Sequence, residues 1–139
     1  ELKASLLACL DDLQDILGTI ESRKALVPAE YAEKLRQRIS ELTAGTDIDE
    51  ARFTTEVALM ADRSDISEET VRLATHINQF RKAVMEEGAV GRKLDFIVQE
   101  MNRELNTIGS KSGDMTITNA VIAGKSVVEK IREQVQNIE

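Results

Sequence analysis

The chain is 139 residues long, enough for one domain or two small ones, and its formal net charge of −7 argues against nonspecific binding to polyanions. Aromatic residues supply 3% of it, with no Trp, and seven Gly with one Pro leave little turn chemistry for many short strands, which disfavours a β-sandwich or barrel. One His and one Cys exclude a Cys/His zinc site and an internal disulfide, and no apolar run nears the roughly 20 residues that span a bilayer.

From Leu2 to about Leu26, the residues Leu6, Leu10, Leu13, Leu17 and Ile20 alternate at spacings of four and three. That heptad seam predicts a long first helix packed along another. Val27-Pro28 is expected to break it, with Pro28 in the first turn of a second helix. Tyr31, Leu35, Ile39 and Leu42 mark one face of that second helix, and Gly45 and Thr46 are expected to end it. Asp47 or Asp49 can cap a third helix through Phe53, Val57 and Met60. A fourth starts near Asp65-Ile66-Ser67-Glu68, capped by Asp65 or Ser67, with an apolar stripe of Leu73, Ile77, Phe80 and Val84.

Gly88-Ala89-Val90-Gly91 is a short connection to a fifth helix, whose apolar side is Leu94, Ile97, Val98, Met101, Leu105 and Ile108. Gly109 to Asp114 reads as a polar break before a sixth helix carrying Val121, Gly124, Val128, Ile131, Val135 and Ile138. The expected fold class is all-α: about six helices in elongated antiparallel hairpins or a bundle, with long first and last helices. The seams of those two helices suit partner helices in an oligomer; a hairpin between them within one chain is the other arrangement they allow. The chain opens at Glu1, inside a helical pattern and without an initiator Met, as a piece of a longer protein would.

Charge is unevenly spread. Residues 1–71 carry a balance of −8, whereas residues 72–111 carry +2, so a local cationic strip is expected in the middle third. The fifth helix there places Asp95, Gln99, Asn102 and Asn106 within a narrow arc, along about 16 Å of helix at 1.5 Å per residue. Asn is a mediocre helix former, and carboxamides in a row suit hydrogen bonding to sugars, phosphates or base edges. A solvated face or an interhelical amide ladder is the structural alternative. Arg92 lies on this side, Arg103 at its margin, and Lys93 and Lys111 are close in sequence.

On the fourth helix Glu69, Arg72 and His76 fall at i, i+3 and i+7 along the edge of the apolar stripe. A Glu and a His on one side can share a divalent cation or position a water; a boundary His is also a common structural feature. Metal-free RNA cleavage often uses two imidazoles, and this chain has one, so a phosphodiesterase built here would lean on carboxylate-bound Mg²⁺ or Mn²⁺. No GxxxxGK[ST] or GxGxxG loop and no nucleophile elbow is present.

Residues 61–139 carry Ala61-Asp62-Arg63-Ser64-Asp65-Ile66-Ser67-Glu68-Glu69, then Arg72-Leu73, His76, Gln79 and Phe80. Gly91-Arg92-Lys93-Leu94-Asp95-Phe96, Gln99-Glu100, Asn102-Arg103-Glu104, Asn106-Thr107 and Gly109-Ser110-Lys111 follow, and the chain closes on 130–139. In these motifs the sequence resembles the C-terminal half of the YicC/YloC-like bacterial endoribonuclease family. Thr75 stands where the family usually has Ser, and Ala123-Gly124-Lys125 where it usually has Glu-Leu-Lys.

The resemblance implies a cytoplasmic, divalent-metal-dependent endoribonuclease that hydrolyses RNA as a ring-like homo-oligomer, a hexamer in the full-length protein. It divides the chain into a helical connecting region, 1–64, and a C-terminal helical domain, 65–139, with the family's N-terminal domain absent. By that likeness Glu69, His76, Asp95, Gln99, Glu100, Asn102, Arg103, Asn106 and Lys111 become functional candidates. On chemical grounds Glu69, His76 and Glu100 are the expected metal-holding and catalytic set. Arg92, Lys93, Arg103 and Lys111 are expected to neutralise phosphates, with Asp95, Gln99, Asn102 and Asn106 positioning the strand. The alternative is a non-catalytic RNA clamp and oligomerisation module whose catalysis needs the missing domain.

Overall fold

A computed structural model describes residues 2–44, 47–86 and 91–137. Among them are five helices and no strand: α1 Leu2–Leu42, α2 Glu50–Arg63, α3 Ser67–Met85, α4 Gly91–Lys111 and α5 Met115–Gln136. The all-α expectation holds, with one helix fewer than expected. No helix among the described residues is long and apolar enough to cross a membrane.

The missing boundary is Val27-Pro28. Instead of breaking, α1 runs through it for 41 residues with Pro28 inside. The ring removes the donor that the Lys24 carbonyl would have met four residues earlier. Side chains bridge the interruption: Arg23 forms a two-pronged ion pair with Glu30, Nη1 to Oε2 at 3.0 Å and Nη2 to Oε1 at 2.5 Å. Beyond the proline, Leu35 and Ile39 keep their helical spacing and lie beside Phe53 of α2, which gives that stretch a reason to remain helical.

Other boundaries shift by a few residues. Asp49 caps α2, its carboxylate accepting from the Arg52 N–H at 3.2 Å. At α3 the cap position is Ile66, with no side-chain cap bond of its own, while Asp65 Oδ1 accepts from the Ser67 N–H at 2.9 Å. The polar break expected from Gly109 is shorter, because α4 continues to Lys111. Asp114 then caps α5 by accepting from the Ile117 N–H at 3.1 Å. The expected helix end at Gly45-Thr46, most of the 88–91 connection and the last seam residue Ile138 lie outside the described residues; Gly91 opens α4.

The N-terminal half of α1 joins α3, α4 and α5 in a closed four-helix ring in which α1 touches α3 and α5, and α4 touches α3 and α5. Neighbouring helices are antiparallel: Arg81 reaches Asp11 and Lys24 reaches Ser67 between α1 and α3, whereas Arg23 and Cys9 of α1 meet Asp114 and Gln134 at the two ends of α5. Leu6, Leu10, Leu13, Leu17 and Ile20 are at most 2% exposed, so the first seam is satisfied within the chain. Gly124 sits where α5 meets α4 and α1. A Cβ there would lie 3.1 Å from a Leu105 methyl and 3.5 Å from Ile16.

The C-terminal part of α1 runs on beyond the ring and packs against α2. Arg36 holds this arm together, pairing with Glu50 at 2.9 Å and lying 4.3 Å over the Phe53 ring.

Candidate functional site

Two acids occupy positions where the helix pattern calls for apolar side chains. Glu69 follows Ile66 and precedes Leu73 on α3, and Glu104 stands between Met101 and Ile108 on α4. They are 3% and 4% exposed, respectively. A carboxylate this deep must be paired or hydrogen-bonded, and the antiparallel contact of α3 with α4 supplies the partners. Arg72 Nε donates to Glu104 Oε1 at 3.1 Å and Arg72 Nη2 reaches Glu69 Oε2 at 3.4 Å. Lys111 Nζ donates to Glu69 Oε2 at 2.9 Å and to the Asp65 carbonyl at 3.4 Å, tying the end of α4 to the start of α3.

His76 completes the cluster. Its Nδ1 lies 3.3 Å from Gln79 Oε1, and its Nε2 is 3.8 Å from Glu104 Oε2, beyond hydrogen-bond reach. With Nδ1–H donating to Gln79, the tautomer assigned from this contact leaves a lone pair on Nε2. That nitrogen and Glu69 Oε1 are buried without a hydrogen-bond partner. Such atoms in a folded protein call for an explanation, and Gln134 Oε1 on α5 is a third of the same kind.

The electrostatics keep Glu69 charged. Burial pushes the Glu69 carboxyl up, but the Lys111 hydrogen bond and the positive charges of Lys111 and Arg72 outweigh it, so the group titrates below its ordinary value. The Glu104 hydrogen bond holds Arg72 firmly protonated. The result is two carboxylates, two cations and one imidazole along a single helix–helix seam, with Arg72 half-exposed at its rim.

The residues expected from sequence divide into three sets around α4. At about 100° per residue, Lys93, Glu100, Glu104 and Lys111 fall on the side toward α3. Asp95, Gln99, Asn102 and Asn106 fall on the other side, toward α5, where Arg132 feels the Asp95 charge. Arg92 and Arg103 lie between the two sets and are exposed. Glu69, His76 and Lys111 are thus brought together with Arg72 and Glu104. Glu100 is one turn from Glu104, half-buried, with Oε2 4.0 Å from Arg103 Nη1. Lys93 pairs with Glu86 at 3.4 Å, and Gln99 donates to Asp95 at 3.1 Å within the helix.

Among the described residues no group of three or more His, Cys, Asp or Glu is placed to hold a metal ion. Glu69 keeps Oε1 unbonded while its Oε2 meets Lys111, and Glu100 Oε2 lies 4.0 Å from Arg103 Nη1. The residue that sequence reasoning missed is Glu104. Its signal was present: an acid in the apolar register of Ile97, Met101 and Ile108.

Four helices closed around an apolar core, with a buried, charge-balanced acid–base seam between α3 and α4, define an all-α bundle domain. Residues 20–139 match the family described as "Endoribonuclease YicC-like, C-terminal", and the chain belongs to that family. It is 52% identical over 130 residues to a protein of Clostridioides difficile named "Probable endoribonuclease YicC", an alignment covering 93% of this chain and 44% of that protein. It is 38% identical over 130 residues to a Haemophilus influenzae protein of the same name, covering 94% of this chain and 45% of that one. The chain therefore spans less than half the length of these curated relatives.

Proposed function

We propose that this chain is the C-terminal helical part of a cytoplasmic endoribonuclease that hydrolyses RNA phosphodiester bonds, with the α3–α4 seam contributing to its active site. The names of the relatives support the reaction class. The observation that carries the site is the unpartnered His76 Nε2 beside Glu104 Oε2 at 3.8 Å. In this reading Nε2 accepts a proton from an attacking water as the water oxygen bonds to phosphorus; the P–O bond to the leaving ribose oxygen breaks, and the imidazolium, stabilised by Glu104, returns the proton to that oxygen. Gln79 fixes the ring through Nδ1, and Arg72 fixes the carboxylate. Arg92 and Arg103 meet phosphates.

Dependence on Mg²⁺ or Mn²⁺ is a separate part of the proposal. It rests on the hard oxygen donors Glu69 and Glu100 and on the single imidazole of the chain. The described residues do not assemble three ligands, and the imidazole step stands apart from any cation. Cleavage of a structured RNA by the full-length protein in Mg²⁺, Mn²⁺ or EDTA tests it: persistence of full activity in EDTA would remove the cation.

Assembly as a homo-oligomer, a hexamer in the full-length protein, also belongs to this proposal. It is supported by the α1–α2 arm, where Leu42 and Leu59 are exposed and Leu35, Ile39, Val57 and Met60 are only half-buried. Light scattering of the eluted protein reads the subunit number directly. A second reading, an RNA clamp whose chemistry lies elsewhere in the longer protein, is favoured by the commitment of Lys111 and Arg72 to carboxylates rather than to solvent. Cleavage by the isolated chain would overturn the clamp reading.

A further inference from the structure

Of the three Phe in the chain, Phe53 and Phe80 are buried at 9% and 0% exposure, while Phe96 on α4 is 62% exposed. Its neighbours in sequence behave as the helix pattern requires: Leu94, Ile97 and Val98 are all buried. Phe96 therefore stands outside the apolar stripe, on the strip between the acid–base seam and the amide row. Seen down the helix, Arg103 lies within about 20° and Arg92 within about 40° of the Phe96 direction. Lys93 and Glu100 flank it on the α3 side, and Gln99 on the α5 side.

A ring set between two arginines on a helix is unlike the single exposed aliphatics scattered elsewhere on this surface. An exposed aromatic face with cations one and two turns away is the arrangement by which proteins hold unpaired nucleotides: the base stacks on the ring while the arginines meet the phosphates on either side. The charge of the molecule agrees, since the acidic 1–71 region would repel a polyanion and the 72–111 region would admit it. From Arg92 to Arg103 the strip extends about 16 Å, room for two or three stacked or splayed nucleotides.

We infer that Phe96 is a stacking platform for an unpaired RNA base, flanked by Arg92 and Arg103, and that the strip selects single-stranded RNA over duplex. This rests on the ribonuclease reading above and names the form of RNA the site takes. Duplex RNA presents no free base face to a ring on a helix surface, so its affinity draws only on the arginines.

The test measures binding of a labelled oligouridylate and of a perfect RNA duplex to the full-length protein, by anisotropy, for wild type, Phe96→Ala, Phe96→Leu and Phe96→Tyr. The expected result is a loss of about tenfold in single-strand affinity for both Phe96→Ala and Phe96→Leu, retention with Phe96→Tyr, and duplex affinity within about twofold throughout. Wild-type single-strand affinity in Phe96→Ala, retention in Phe96→Leu, or equal losses for strand and duplex would each overturn the platform while leaving the ribonuclease reading intact. Wild-type protein that binds neither RNA would overturn both. An altered subunit number in Phe96→Ala with unchanged RNA affinity would make the strip a protein contact and overturn the inference.

Discussion

Glu104 Oε2 lies 3.8 Å from His76 Nε2, and the same carboxylate accepts from Arg72 through Oε1 at 3.1 Å. One buried acid therefore faces an imidazole without bonding to it and is held in place by a guanidinium. If the imidazolium forms during the reaction, Glu104 is the group that stabilises it. Glu104→Gln keeps the size and the Arg72 contact but loses the charge. Cleavage by the full-length variant is expected to fall about a hundredfold, with RNA affinity and melting temperature close to wild type. Single-turnover rates and a thermal melt check this together.

Acid sensitivity follows from Glu69 and Asp114. The Glu69 carboxyl titrates below its ordinary 4.5, since Lys111 and Arg72 outweigh the effect of burial, and Asp114 below its ordinary 3.8, chiefly through the Arg23 hydrogen bond. A carboxyl with a depressed folded value contributes stability that is present above the ordinary value and lost as pH falls through the folded one. Stability is thus expected to hold from neutrality down to about pH 4.5 and to decline below it. Glu69→Gln should flatten the upper part of that decline, measured as urea midpoints between neutral and acid pH.

Much of the bundle was legible in the sequence because its core positions repeat. The four–three spacing from Leu6 to Ile20 predicted a helix that packs along another, and the structure pairs it with α5 and α3. Pro28 was misleading because a proline removes one hydrogen bond without removing the apolar face that follows it; the α1–α2 contact and the Arg23–Glu30 pair keep the helix continuous. Half of the site was legible in the same way. Glu69 and His76 show themselves by spacing on one helix, but Glu104 and the tie of Lys111 to Glu69 require knowing that α3 and α4 are antiparallel neighbours. The amide row is read correctly as one arc; its placement toward α5, away from the acid–base seam, is a tertiary fact.

Two glycines separate propensity from packing. Nothing lies within 4 Å of a Cβ built at Gly18, inside α1, so Gly18→Ala is expected to raise stability by about 0.5–1 kcal/mol. At Gly124 the Leu105 methyls stand 3.1 and 3.3 Å away, and a branched side chain must displace them. Gly124→Val is expected to cost about 1–3 kcal/mol. Chemical denaturation of the two variants gives opposite signs if the α1–α4–α5 junction is as described.

Arg92 and Arg103 are exposed on the outer strip of α4. If they meet phosphates, each replacement by Ala should weaken RNA binding for all sequences and make the plot of log affinity against log salt less steep by about one. Unchanged slopes in both variants would remove these residues from the RNA path.

The proposed role of His76 makes the α3–α4 seam part of the RNA-cleaving site. The direct measurement is the single-turnover cleavage rate of a structured RNA by the full-length protein carrying His76→Ala, at saturating protein. A loss of at least about a hundredfold is expected, with RNA affinity changed by less than about threefold and the fold intact. Cleavage at the wild-type rate by a folded His76→Ala protein would contradict it.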